Sequence, residues 1–311
     1  MLSAAPFECP PNLLVHAQQH PPLKTAVVNA TTASVMTSVK LATEHNLIEP
    51  ILVGDSDIIH SMAAAINWDI RAFTVIDAES DLKAAKLSVA LAHSDEVSAL
   101  MKGHIHSETL MQEALQRKQG IRLKRRPSHA FYMTVPGDKS GVCITDAVIN
   151  ILPRVKQKIE ITRNAIELMH ALGNINPRVA LISGTEVPTS EMPSSRDAVE
   201  IVKEAKNGVL PGAEIAGPMA LDVAISEKAA TIKGINNLVA GKADILLMPN
   251  LEAGNILFKQ MVYSMSATAA GLVLGMKVPI MLTSRADPPE ARLASAAIAS
   301  VYAVHRESLQ Q

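Results

Sequence analysis

Short apolar, β-branched runs alternate with longer Ala-rich segments along nearly the whole of this 311-residue chain, and that alternation constrains the fold most. The runs TAVVNA (25–30), PILVGD (50–55), FTVIDA (73–78), RVALIS (178–183), AEIAGP (213–218), ADILLMPN (243–250) and VPIMLTS (278–284) each have the length and continuity of a buried strand. Between them, SVMTSVKLATEHN, AAKLSVALAHSDEVSALM, RDAVEIVKEAKN and QMVYSMSATAAGLVLG repeat apolar residues at helical spacing. Strands covered on both faces by helices imply an α/β architecture with a largely parallel sheet.

The length suits one large or two ordinary domains. Residues 121–150 look like a strand-rich insert or sheet extension, and PRVKQKIEITRNAIELMHALG (153–173) is expected to be one long amphipathic helix opened by Pro153. A boundary near Pro153 gives a first α/β domain of residues 1–152, joined by a returning final helix at 290–311, and a second α/β domain of residues 153–289.

Several classes of function are disfavoured by simple counts. With 29 basic and 30 acidic side chains the chain carries no global field for nucleic acid or an anionic membrane. Cys9 and Cys143 are too few for a disulfide framework or a four-cysteine zinc site, and they suit a reducing cytoplasm. The start MLSAAPFECPPNLL lacks the pattern of a secretory signal, so a cytoplasmic location is expected. The segment ATAAGLVLGMKVPIML is interrupted by Lys277 and Pro279, and is expected to be a soluble helix followed by a strand.

In open parallel sheets, ligands bind beyond the carboxyl ends of the strands. Four consecutive runs of the second half end in small or polar residues there: Ser183-Gly184-Thr185-Glu186, Gly217-Pro218 with Asp222, Pro249-Asn250 followed by Gly254-Asn255, and Ser284-Arg285-Ala286-Asp287. A helix N-terminus after such a loop favours phosphate. Gly254 is suited to close approach of a ligand to the backbone, and Asn255 either donates to an oxyanion or caps a helix. Arg285 can bind a phosphate bidentately, Ser284 can stabilise a developing oxyanion, and Asp287 can accept a proton or orient Arg285. The alternative is that Ser284 caps the final helix while Arg285 and Asp287 form a solvated pair. Asp146 and Asp222 are possible caps. GHIHSE (His104, His106, Glu108) has metal-ligand residue types at strand spacing but precedes a helix, and the basic run RLKRR (Arg122, Arg125, Arg126) lacks the aromatic partners of a nucleic-acid site.

The stretch GPMALDVAISEKAATIKGINNLVAGKADILLMPNLEAGNILFKQMVYSMSATAAGLVLGMKVPIMLTSRADPPEARL resembles the phosphate acetyltransferase/phosphate butyryltransferase family. ILVGD (51–55), LMKGHIHSETLM (100–111), RPSHAFYM (126–133) and TDAVINILP (145–153) extend the likeness in the family's order. The resemblance implies a two-domain, three-layer fold similar to the isocitrate and isopropylmalate dehydrogenases, with the active site in the interdomain cleft. It implies transfer of an acyl group, acetyl or butyryl, between coenzyme A as substrate and phosphate, in a ternary complex, without metal or tightly bound cofactor, usually in a homodimer. Its Ser-Arg pair falls on Ser284 and Arg285, and its Pro-Asn-Leu…Gly-Asn motif on Asn250, Gly254 and Asn255, with Lys259 beyond. The family's base lies farther past the pair than Asp287, so Asp287 and Glu290 both stand as candidates. Ser183 joins the expected substrate contacts. A CoA phosphate meeting one arginine of RLKRR, and a non-catalytic CoA or acyl phosphate sensor on the same fold, are further expectations to set against the structure.

Overall fold

The computed structural model describes residues 2–138, 140–284 and 287–309. The chain forms two compact units, one of Pro6–Arg125 with Thr268–Gln311 and the other of Met1–Ala5 with Arg126–Ala267. The boundaries therefore fall at Arg126 and Ala267, not near residues 153 and 289. Strand pairing is the reason. The strands of residues 128–145 bond to those of the second unit, while 268–281 bond to those of the first.

The first unit begins with α1 (Pro11–Ala17), β1 (Leu23–Val28), α2 (Ala33–Glu44), β2 (Ile48–Gly54), α3 (Ser56–Ala65), β3 (Thr74–Asp77), α4 (Asp81–His93), β4 (Ala99–Lys102) and α5 (Ser107–Ala114). The second holds β5 (Ser128–Thr134), β6 (Val142–Thr145), α6 (Val155–Ala171), β7 (Arg178–Ile182), α7 (Pro193–Lys206), β8 (Glu214–Met219), α8 (Leu221–Ile225), α9 (Glu227–Ile232), β9 (Ile245–Leu247) and α10 (Leu251–Met265). The chain then returns to the first unit with β10 (Thr268–Leu274), β11 (Ile280–Met281) and α11 (Pro289–Ser308).

Within the first unit the strand order is β3-β2-β1-β4-β11-β10, parallel except where β10 meets β11. Within the second it is β5-β6-β9-β7-β8, parallel except for the β5–β6 pair. Side-chain oxygens start several helices: Asp55 accepts from the Ile58 N–H at 3.0 Å, Ser80 from Lys83 at 3.3 Å and Asn250 from Ala253 at 2.9 Å. The core of the first unit is closed by α11, in which every residue from Ala291 to Ala303 is buried. Its alanines let it lie close to β10 and α2, and its one buried cation there, Arg292, donates to the Ser34 and Ser38 hydroxyls of α2 at 2.9 and 3.2 Å. Among the described residues no helix is long and apolar enough to cross a membrane.

One expected helix is partly a strand. Residues 268–274, inside QMVYSMSATAAGLVLG, form β10 with all seven positions buried. The helix α10 stops because Ser266 adopts a left-handed conformation (φ 50°), and the Ser266 hydroxyl bonds to the Ala5 carbonyl at 2.7 Å and to Ser3 at 2.8 Å. An Ala-Gly-Leu-Val run with both faces covered shows neither a helical nor an alternating period.

At the amino-terminal ends of β7 and β9, Arg178 grips Asp244 with Nε and Nη2 each at 2.8 Å from a carboxylate oxygen. Burial pushes the Asp244 carboxyl up, but the hydrogen bonds from Arg178 outweigh it and hold the group below the usual range. A depressed carboxylate stabilises the fold fully above its unfolded value, near about 4, and that contribution is lost as pH falls through the folded value. Asp244→Asn is therefore expected to cost about 1 kcal/mol at pH 7, allowing for solvent screening, and progressively less below about pH 4; denaturant titrations at both pH values check this.

Candidate active site

In the second unit β9 is inserted between β6 and β7, so the carboxyl ends of β7 and β9 lie side by side. Ser183 follows β7 and is buried, with its hydroxyl 3.0 Å from that of Ser194 and 3.2 Å from the Met192 sulfur. Asn250 follows β9 and caps α10. Nearby, buried Lys158 pairs through Nζ with half-buried Asp197 at 2.8 Å, and both line a small cavity with Ser194 and Pro249.

The Gly-Asn pair on α10 proves to have a partner in the chain itself. A Cβ on Gly254 would stand 2.8 Å from the Asp146 carbonyl oxygen and 3.0 Å from the Ala147 side chain. Asn255 donates from Nδ2 to the Ala147 carbonyl at 3.2 Å. The close approach anticipated for a ligand at Gly254 is thus made by the loop after β6, and Asn255 fastens α10 to it rather than capping a helix. Lys259, four residues beyond Asn255, is exposed, with Nζ 5.0 Å from the Phe258 ring centroid.

That loop is organised by Asp146. Its side chain is 2% exposed and accepts four hydrogen bonds: from the Val148 and Ile149 N–H groups, both at 2.9 Å, from the His129 N–H at 3.1 Å and from Asn150 Nδ2 at 2.6 Å. Arg126 Nε in turn donates to Asn150 Oδ1 at 2.6 Å, so this arginine of RLKRR serves the loop. Asp222 does not cap a helix through its side chain. Hydrogen bonding from Lys233, which also reaches Glu186 at 3.0 Å, holds the Asp222 carboxyl below its usual range at the surface.

In the first unit, Ser284 follows β11, which runs parallel to β4. Ser284 and Asp287 close a turn on each other: the Ser284 N–H donates to Asp287 Oδ2 at 2.6 Å, and the Asp287 N–H to the Ser284 carbonyl at 3.2 Å. The cap position of α11 is Pro288, without a side-chain bond, so Ser284 does not cap that helix. Asp287 is only 9% exposed, which rules out a solvated surface pair. Arg285 lies outside the described residues. Glu290 sits in the first turn of α11, where its charge adds to the effect of burial in raising the pKa of Cys9.

Two cations near this turn were not singled out by sequence. Arg292 is 7% exposed; burial pushes its pKa down, and the charge of Asp287 opposes that shift. Its signal was a lone cation in the Ala-rich stretch EARLASAAIAS. Lys102, 6% exposed, ends β4 beside β11, and its signal was a lysine closing an apolar run. Among the described residues no group of three or more His, Cys, Asp or Glu side chains is placed to hold a metal, and GHIHSE forms the turn into α5. Both thiols are pushed up to about 12 by burial, Cys9 with help from Glu290.

The two accounts of Gly254 predict opposite results. Gly254→Ala is expected to destabilise the protein by about 1–3 kcal/mol, because the new methyl meets backbone across the α10–loop contact. Without that contact, alanine in a helix would stabilise by roughly 1 kcal/mol. Thermal or denaturant unfolding separates the two.

Comparison with known proteins places this arrangement. A family model described as "Phosphate acetyl/butaryl transferase" matches residues 81–300. A phosphate acetyltransferase from Rickettsia typhi is 44% identical over 290 residues, covering 93% of this chain and 83% of that protein. A phosphate butyryltransferase from Clostridium beijerinckii is 38% identical over 295 residues, covering 95% and 98%. Among solved structures, a branched-chain phosphotransacylase from Enterococcus faecalis V583 superposes with a TM-score of 0.79 at 27% identity, covering 90% of this chain and 99% of that one. Both the matched span and the identity to full-length relatives carry one conclusion: the chain belongs to the phosphate acetyl/butyryltransferase family.

Proposed function

We propose that the protein is a phosphate acetyltransferase, interconverting acetyl-CoA and phosphate with acetyl phosphate and CoA. The observation that carries the acetyl assignment is the 44% identity to a phosphate acetyltransferase, against 38% to a phosphate butyryltransferase at similar coverage of this chain. Butyryl transfer by the same chemistry is the second reading, supported by the near-complete coverage of that second relative. The substrates are small molecules. In this reading the protein works in the cytoplasm as a homodimer.

In the direction of thioester synthesis the CoA thiol loses its proton, and the thiolate attacks the carbonyl carbon of acetyl phosphate. The C–S bond forms, the carbonyl oxygen takes up charge, and the C–O bond to phosphate breaks with phosphate leaving as the anion. Asp287 is the group assigned to receive the thiol proton, and it lies buried beside Ser284 at the end of β11. The turn between Asp287 and Ser284 fixes the serine, whose hydroxyl then donates to the carbonyl oxygen or the thiol sulfur. Arg285 is assigned the phosphoryl group, which a guanidinium binds bidentately. Lys259, Asn250 and Ser183 are assigned to the substrates from the second unit, with Gly254 and Asn255 shaping that site through the Asp146 loop.

The test is thioester formation from CoA with acetyl, propionyl and butyryl phosphate, side by side. Acetyl phosphate is expected to be preferred, and Arg285→Ala and Ser284→Ala are each expected to lower kcat/KM by about 10²–10³-fold with the fold intact. Preference for butyryl phosphate would move the assignment to the second reading. Absence of turnover with all three, despite measurable CoA binding, would replace catalysis with sensing.

A further inference from the structure

The parallel sheet of the first unit reverses its winding between β1 and β4. From β1 the chain steps outward to β2 and β3, then crosses back to place β4 on the other side. Crevices for ligands open beyond the strand ends at such a reversal. Lys102 stands there as the last residue of β4, in register with Val28, the last residue of β1. Lysines of this length ordinarily extend to water, but this one is 6% exposed, and its Nζ lies 3.5 Å from the Gly103 carbonyl at the strand end.

The surrounding backbone is fixed tightly enough to hold such a cation in place. A Cβ on Gly103 would come within 2.5 Å of the Val28 and Asn29 carbonyl oxygens, so the two strand ends pass at minimum separation. Asn29, with φ 60°, donates from Nδ2 to Asp81 at 2.7 Å and to the His104 carbonyl at 2.8 Å, tying β1 to the segment after β4. On the other side of β4 runs β11, with Met281 opposite Met101. Ser284 follows three residues later, held by its turn with Asp287. Lys102 and Ser284 therefore come from the carboxyl ends of adjoining parallel strands.

We propose that Lys102 binds the phosphoryl group of the acyl phosphate, and inorganic phosphate in the reverse direction, beside Ser284. This rests on the acyltransferase function above and adds a residue to it. A desolvated ammonium meets a phosphate dianion with little competition from water, and as phosphate departs the charge growing on the breaking C–O oxygen strengthens the attraction.

The experiment compares the full-length protein with Lys102→Gln and Lys102→Arg. Inorganic phosphate is expected to raise the Tm of the wild type and of Lys102→Arg but not of Lys102→Gln. In thioester formation, Lys102→Gln is expected to raise KM for acetyl phosphate about 10–100-fold while KM for CoA stays within about twofold, with Lys102→Arg recovering part of the loss. A rise confined to KM for CoA would assign Lys102 to the CoA diphosphate and overturn the proposal. Lower stability with unchanged phosphate dependence would overturn it in favour of a purely structural lysine. A crystal structure of the wild type with phosphate decides the question even if Lys102→Gln does not fold: a phosphate oxygen within hydrogen-bond distance of Lys102 Nζ is expected, and phosphate bound away from it refutes the assignment. Wild-type protein that binds phosphate through Lys102 but turns over no acyl phosphate would refute the acyltransferase function and leave the binding site standing.

Discussion

One carboxylate organises the second unit. Asp146 is nearly out of solvent, and an isolated carboxylate there would be costly, yet four donors converge on it and make the burial tolerable. Two of them, Val148 and Ile149, set the turn after β6, one reaches β5 through the His129 N–H, and one is the Asn150 amide. The turn so formed presents the Asp146 and Ala147 carbonyls to α10, against which Gly254 packs and to which Asn255 bonds. The orientation of α10, and with it of Lys259, thus follows from the satisfaction of one buried charge.

The first unit solves a similar problem with opposite sign. Arg292 is buried in an almost wholly apolar helix, its hydrogen bonds go to serines of α2, and Asp287 supplies a compensating charge. Packing of α11 on α2 is therefore linked, through Arg292, to the Ser284–Asp287 turn.

Much of the α/β pattern was legible because strands covered on both faces leave continuous apolar runs, as at residues 178–183 and 243–250. β10 was not, since its residues fit a helix equally well and the stop at Ser266 depends on contacts with Ser3 and Ala5 more than 260 positions away. The same limit applies to the site. The Ser284–Asp287 turn is local, and its spacing could be seen directly. The partner of Asn255 lies 108 residues upstream, so its sequence suggested a ligand contact where the fold supplies one of its own carbonyls. Arg292 and Lys102 were visible as cations in apolar surroundings, but which charge or strand each would meet is set by packing between elements far apart in sequence.

The state of the two thiols bears on chemistry as well as on folding. A protein that handles an activated acyl group beside the thiol of CoA runs the risk of taking the acyl group itself. Cys9 and Cys143 are its only cysteines, and burial pushes both up to about 12. Burial disfavours the thiolate of each, which makes both poor nucleophiles. Selection of the acyl acceptor then follows from which sulfur loses its proton most readily, and burial sets the protein's own thiols at a disadvantage to that of CoA.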